Sequence, residues 1–316
     1  MTAENVPDTR DAWPELQPLE NWQDTCSTVH MWTQIAGKIR LTLSPHINHC
    51  WGSTLYVASR GLTTSPVPYG SFTFAIDFDF VEHRLLITTS SGEQRAFPLG
   101  PMTVAEFYRK IMRALDELDI HVRILARPVE MEVAIPFEKD TQHASYDADA
   151  VNRFWRALVQ ADRVLKEFRA GFIGKASPVH FFWGAFDLAA TRFSGRTAPK
   201  HPGGAPNVAA WVMEEAYSHE VSSAGFWAGT GLGEAAFYAY AYPAPPGFDS
   251  YPVQPQAAYF HEKLGEFILP YEAVRTAEQS DRALFSFLQT TYDAAATLAH
   301  WDRAALERHP PRAVNP

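Results

Sequence analysis

Two stretches of the chain alternate strictly between apolar and polar or mixed positions. In FTFAIDFDF (72–80), Phe74, Ile76, Phe78 and Phe80 share one face, with Asp77 and Asp79 opposite. That is the period of a strand with one buried face, and it puts both carboxylates on the solvated side. FYAYAY (237–242) alternates as well, with Tyr238, Tyr240 and Tyr242 opposite Phe237, Ala239 and Ala241. Each is followed by two short strand-like runs around a Gly-Glu pair, LLITTSSGEQRAFPL and YFHEKLGEFILPY. These predict a hairpin in each half of the chain.

Three stretches carry a helical period. In TVAEFYRKIMRALDEL (103–118), Phe107, Ile111 and Leu115 recur every four residues, and Thr103 with Glu106 makes a capping box. DADAVNRFWRALVQADRVLKEFRAGF (147–172) starts at a candidate N-cap, Asp147. Its stripe is Phe154, Leu158, Leu165, Phe168 and Phe172, and Gly171 or Gly174 ends it. In DRALFSFLQTTYDAAATLAHW (281–301) the stripe is Leu284, Leu288, Tyr292 and Ala295. A fourth helix, STVHMWTQIAGK (27–38), has weaker signals.

The two halves also match by motif. SPHINHCWGSTLYVASRGLTTSP (44–66) lies against SPVHFFWGAFDLAATRFSGRTAP (177–199). Both open on Ser-Pro and place a His shortly before Trp-Gly: His49 before Trp51, and His180 before Trp183. Ser59-Arg60 in the first answers Thr191-Arg192 in the second, and both close on Pro. The pattern predicts an α+β fold made by tandem duplication: two lobes about a pseudo-twofold axis, each an antiparallel sheet with helices on one face. A helix-grip-like lobe is one way to realise it. The expected boundaries are an arm over 1–20, lobes over 21–135 and 136–302, and a tail over 303–316. An insertion, rich in Pro and Gly, covers 200–235 of the second lobe. Clefts between paired lobes are preferred ligand sites.

Composition narrows the function. The 316 residues are 46% hydrophobic, 20% charged and 13% aromatic, the balance of a globular protein with a large core or an aromatic pocket. The net charge of −9 argues against nucleic acid as a partner. Two cysteines, Cys26 and Cys50, make neither a disulfide framework nor a CxxC metal pattern. The polar, acidic N-terminus lacks a signal-peptide pattern, and no apolar run of about 18 residues occurs. A cytoplasmic protein with no membrane partner is expected. Oligomeric state and cofactor are not specified.

HMWTQIAGKIRL, YVASRGLTTSPVPYG, FWRALVQADRVLKEFR, SPVHFFWGAFDLAATRFSGR and AYSHEVSSAGFW resemble a bacterial family defined only as a domain of unknown function. The resemblance runs from Trp22 to about Trp301 and implies no chemistry.

Candidate chemistry therefore comes from the residues. Read as one strand, 180–192 places Asp187 between two alanines, either as the floor of a pocket or paired with Arg163 or Arg169. Arg60 and Arg192 occupy matching places in the repeat. Either both grip an anion between the lobes, or each is structural in its own lobe. His49 and His180 differ by one residue in their offset from Trp, which turns them to opposite faces of a strand. His219-Glu220, inside the insertion with His201 and Glu214-Glu215, has the residue types for a metal or for acid–base work, without HExxH spacing. The sequence contains no GxSxG, Walker A or dinucleotide fingerprint, and GTGLGE (229–234) reads as a flexible loop. The expected function is small-molecule binding, with or without catalysis, in an aromatic pocket holding Arg and His. Its candidate residues are Trp51, Arg60, His180, Trp183, Asp187, Arg192, His219 and Glu220. The alternatives are a metal-dependent enzyme using His219 and Glu220, and a non-catalytic interaction module.

Overall fold

The computed structural model of the chain describes residues 12–308. The segments 1–11 and 309–316, expected as an arm and a tail, lie outside them. The rest of both expected ends is docked. Trp13 is buried and donates from Nε1 to Asp281 at 3.1 Å. Ile173 N–H donates to the Leu306 carbonyl at 2.8 Å.

Helix α1 (Leu19–Leu43) opens the fold. It is far longer than the 12 residues the pattern suggested, and every residue from Met31 to Arg40 is buried. A helix packed on all sides has no polar face, so periodicity does not reveal it. Six strands follow: β1 (Tyr56–Ala58), β2 (Gly61–Thr63), β3 (Val67–Tyr69), β4 (Phe72–Asp79), β5 (Arg84–Thr89) and β6 (Gln94–Pro98). They form an antiparallel sheet in the order β1-β2-β4-β5-β6, with β3 also on β4. Helix α2 (Val104–Asp116) starts where expected, with the Thr103 hydroxyl accepting from Glu106 N–H. One prediction for this sheet is corrected. Asp79 is buried and accepts from Arg60 and from the Val81 and Glu82 N–H groups, so it holds the β4–β5 turn rather than facing solvent.

The second half repeats the scheme. Helix α3 (Ala148–Ala170) is capped by Asp147. The strands are β7 (His180–Phe182), β8 (Asp187–Thr197), β9 (His219–Trp227), β10 (Ala236–Tyr242), β11 (Tyr259–His261) and β12 (Glu266–Pro270). Their order is β11-β12-β10-β9-β8-β7, all antiparallel. Helix α4 (Ala210–Ala216) lies between β8 and β9, and α5 (Tyr271–Arg275), α6 (Ser280–Leu298) and α7 (Arg303–Leu306) follow β12.

The chain is thus an α+β protein with two antiparallel sheets. Each half runs helix, meander, helix. The matched motifs, however, do not occupy matching places. Trp51 precedes β1, whereas Trp183 lies in the turn after β7. Residues 180–192 are a hairpin, not one strand: His180 pairs with Ala189 and Phe182 with Asp187. Phe186, at φ 60°, and the Trp183-Gly184 pair make the turn. Within the stretch read as an insertion, His219–Trp227 is an inner strand of the second sheet.

One core joins the halves. Trp32 of α1 stacks on Phe107 of α2 at 4.8 Å, and Phe107 meets Phe78 of β4 at 6.1 Å. On the other side Trp22 meets Phe154 of α3 at 5.4 Å, and Phe154 meets Phe226 of β9 at 5.9 Å. The sheets touch through a single antiparallel bridge, Leu55 with Phe181, bonded both ways at 2.9 and 2.7 Å. One face of the second sheet, with Leu188, Ala190, Phe226 and Phe237, belongs to this core. The opposite face carries the site.

Candidate functional site

Cross-strand partners in an antiparallel sheet share a face. The register therefore sets His180, Ala189, Gly225, Tyr238 and Ile268 in one row across the outer face. Phe182, Asp187, Trp227 and Ala236 form a neighbouring row, and Thr191, Ser223 and Tyr240 another. Small residues on β8 and β9 make a floor flanked by aromatic side chains. Residues 130–131 and 206–207 are bonded to each other beside it: Glu130 N–H donates to Pro206 O, and Asn207 to Met131 O, both at 2.7 Å. Tyr217, from the end of α4, reaches the Tyr240 hydroxyl at 3.0 Å.

At the seam with the first half, α1 and the turn before β1 meet this face. Arg40 is buried, donates to the Thr54 carbonyl, and lies 5.2 Å from the Tyr56 ring. Its Nε is enclosed without an acceptor, and no carboxylate among the described residues pairs with it. Burial lowers its pKa, opposed by Tyr56. His180, 0% exposed, stands among Phe182 at 4.5 Å, Trp51 at 6.4 Å and Tyr56 at 6.4 Å. Neither of its ring nitrogens has a partner. Burial, then the charge of Arg40, pushes its pKa down to about 3, so the ring is neutral. Buried polar groups are almost always hydrogen-bonded, so such orphans call for an explanation.

The seam continues outward. His49 and Cys50 both take left-handed φ, 58° and 57°, uncommon for residues with a side chain. The His49 N–H donates to Glu215 of α4 at 2.8 Å, and its Nε2 accepts from Lys175 at 2.7 Å. The ring proton therefore sits on Nδ1, which is enclosed and unpartnered. Burial and Lys175 lower the pKa of His49. Trp51 and Phe193 lie 5.1 and 4.8 Å from the His49 ring, and Lys175 covers both aromatic rings.

The far end of the face is acidic. Asp187 is buried and accepts a short hydrogen bond from the Tyr238 hydroxyl. Burial raises its pKa to about 6, against the Tyr238 bond. Glu130, whose carboxyl overhangs Gly184, and Glu266 of β12 are both raised to about 7, first by loss of solvation and then by Asp187. Among the described residues no group of three or more His, Cys, Asp or Glu side chains is arranged to hold a metal ion.

The seam thus collects Trp51 and His180, with His49 behind Trp51 and His219 6.5 Å from His49. Trp183 is close by, donating to the Ser53 carbonyl at 2.7 Å. Asp187 lies on the same face but at the acidic end. Three candidates go elsewhere. Arg60 sits in the β1–β2 turn with Asp79 at 2.9 Å. Arg192 is buried under Phe168 and Tyr292, its guanidinium carbon 3.4 and 4.4 Å from their rings, and donates to the Phe168 carbonyl. Glu220 pairs with Arg196 at 2.6 Å, on the face opposite His219. Sequence reading passed over Arg40, Tyr56, Lys175, Glu130 and Glu266. Arg40 had a signal: AGKIRL sets two cations in an otherwise apolar helical run.

Two antiparallel sheets, one backbone bridge and a polar, tyrosine-lined outer face define the class of this α+β protein. The chain belongs to a family of unknown function, DUF5996, whose model matches residues 13–308. No curated protein and no solved structure matches it.

Proposed function

We propose that the seam between the halves binds a small organic anion, a carboxylate or phosphate ester. Arg40 supplies the charge, His180 a neutral N–H donor, and Trp51 and Trp183 the apolar walls. The observation that carries this reading is the pairing of a buried guanidinium that lacks a carboxylate with a buried imidazole that lacks any partner. An uncompensated buried charge is costly, and a bound anion removes the cost. Guanidinium groups hold carboxylate and phosphate through paired N–H donors. Lys175 and His219 form the rim through which a ligand enters. Asp187 and Tyr238, on the same sheet face, are a proton donor and acceptor for whatever the anion carries.

Thermal unfolding with acetate, phosphate and a phosphate monoester tests this, together with native mass spectrometry of freshly purified protein. A saturable rise in Tm is expected, because ligand at a hundredfold over Kd adds about 2.7 kcal/mol. Arg40→Gln and His180→Phe should each abolish the response. A response that is unchanged in both variants, or absent from the native chain, rejects the proposal.

A further inference from the structure

Lys38 stands apart from the other lysines. Lys110, Lys166 and Lys200 pair with Glu106, Asp162 and Glu214, and Lys175 is bonded to His49. Lys38 is 5% exposed in the buried stretch of α1, and no carboxylate accepts from it among the described residues. Its Nζ lies 5.6 Å from the centre of the Trp183 ring. That ring is pressed against α1 at Gly37, where a Cβ would stand 2.2 Å from it, and is tied to the Ser53 carbonyl. One turn further on, Leu41 and Thr42 are exposed. Leu41 and Ser53 also line a small surface pit with Ile47 and Cys50. The amine thus sits in apolar surroundings close to the surface.

We propose that Lys38 is a nucleophilic amine that condenses with a small carbonyl compound, an aldehyde or ketone. The Nζ lone pair attacks the carbonyl carbon and a proton passes from nitrogen to oxygen. Loss of water from the carbinolamine then leaves an imine, with no change in oxidation state. Two physical facts favour the step. A buried lysine without a counter-ion is held in its neutral, nucleophilic form, and burial lowers Lys38 to about 8. At pH 8 about half of such amines are neutral, against roughly 0.4% of ordinary lysines. The Trp183 face gives the carbonyl compound a flat apolar wall.

The test uses the full chain with acetaldehyde and sodium cyanoborohydride from pH 6.5 to 9.5, read by peptide mapping. Acetaldehyde is uncharged, so the outcome is independent of any anion site at Arg40. Lys38 should be alkylated several-fold faster than the exposed Lys139 and Lys263 at pH 8, with a midpoint near pH 8. Lys38→Arg should remove the fast phase. Alkylation of Lys38 that trails Lys139 and Lys263 at every pH overturns the proposal. That comparison needs only the unsubstituted chain, so it stands even if the Arg variant fails to fold.

Discussion

Tyr238 on β10 reaches across β9 to Asp187 on β8. Its hydroxyl donates to Asp187 Oδ2, and the ring passes over Gly225, where a Cβ would lie 2.5 Å from that hydroxyl. The glycine exists to let the two strands exchange this bond. With Asp187 near pH 6 when folded and near 3.8 unfolded, the folded state binds the extra proton between those values. Stability is full below the unfolded pKa and falls as pH rises through about 6. Asp187→Asn keeps an acceptor for Tyr238 and removes the titration. Denaturant unfolding should show the Asn variant more stable than the native chain at pH 8, on the order of 2 kcal/mol, and matched to it near pH 4. A stability difference that is the same at both pH values counts against the buried acid.

Gly225→Ala should be among the most damaging single-methyl changes. The added Cβ would meet the Leu188 carbonyl at 2.2 Å as well as Tyr238, and backbone cannot step aside as a flexible side chain can. A loss of about 3 kcal/mol or more is expected in urea midpoints. A variant as stable as the parent would mean that β8 and β9 are farther apart.

Arg60 and Arg192 should separate cleanly by mutation. Arg60 is half exposed at a hairpin tip, so Arg60→Ala should cost roughly 1 kcal/mol or less. Arg192→Ala empties a site among three aromatic rings and unpairs the Phe168 carbonyl. It should cost about 3 kcal/mol. Equal costs would revive the idea that the two arginines do the same job.

Neither half should fold alone. The halves share one core, and hydrogen bonds cross from α1 to the second half: the Asp147 N–H to Thr25 at 3.0 Å, and His30 Nε2 with Gly184 O at 2.8 Å. Fragments 1–135 and 136–316 are expected to show no dispersed proton spectrum separately and to recover it when refolded together. A dispersed spectrum from either fragment alone would defeat this.

Local pattern revealed whatever has one wet face. β4, β10, the two hairpins and α2, α3 and α6 are all visible in the sequence, because alternation and stripe record which side meets water. α1 and β9 were under-read for the converse reason. Buried on all sides, they carry no period. The Trp-Gly repeat misled at residue level. The same letters serve a turn ahead of β1 in one half and a turn inside a hairpin in the other, and nothing in the letters states which neighbour each turn meets. The site was half visible. His180, Trp51 and Asp187 drew notice as polar or aromatic residues in odd company. Arg40 and Glu130 were silent, since their meaning lies in partners more than a hundred residues away or in the lack of one.

The all-round burial of α1 also bears on how the chain is made. This helix leaves the ribosome first, yet the surfaces that cover it include Val129, which is bonded both ways to Gln34, and Gly184, which is bonded to His30. Until those segments are synthesised, an apolar rod of seven turns has no resting place. Its shelter during translation must come from outside the chain, which makes the nascent protein a client for chaperones at the ribosome exit.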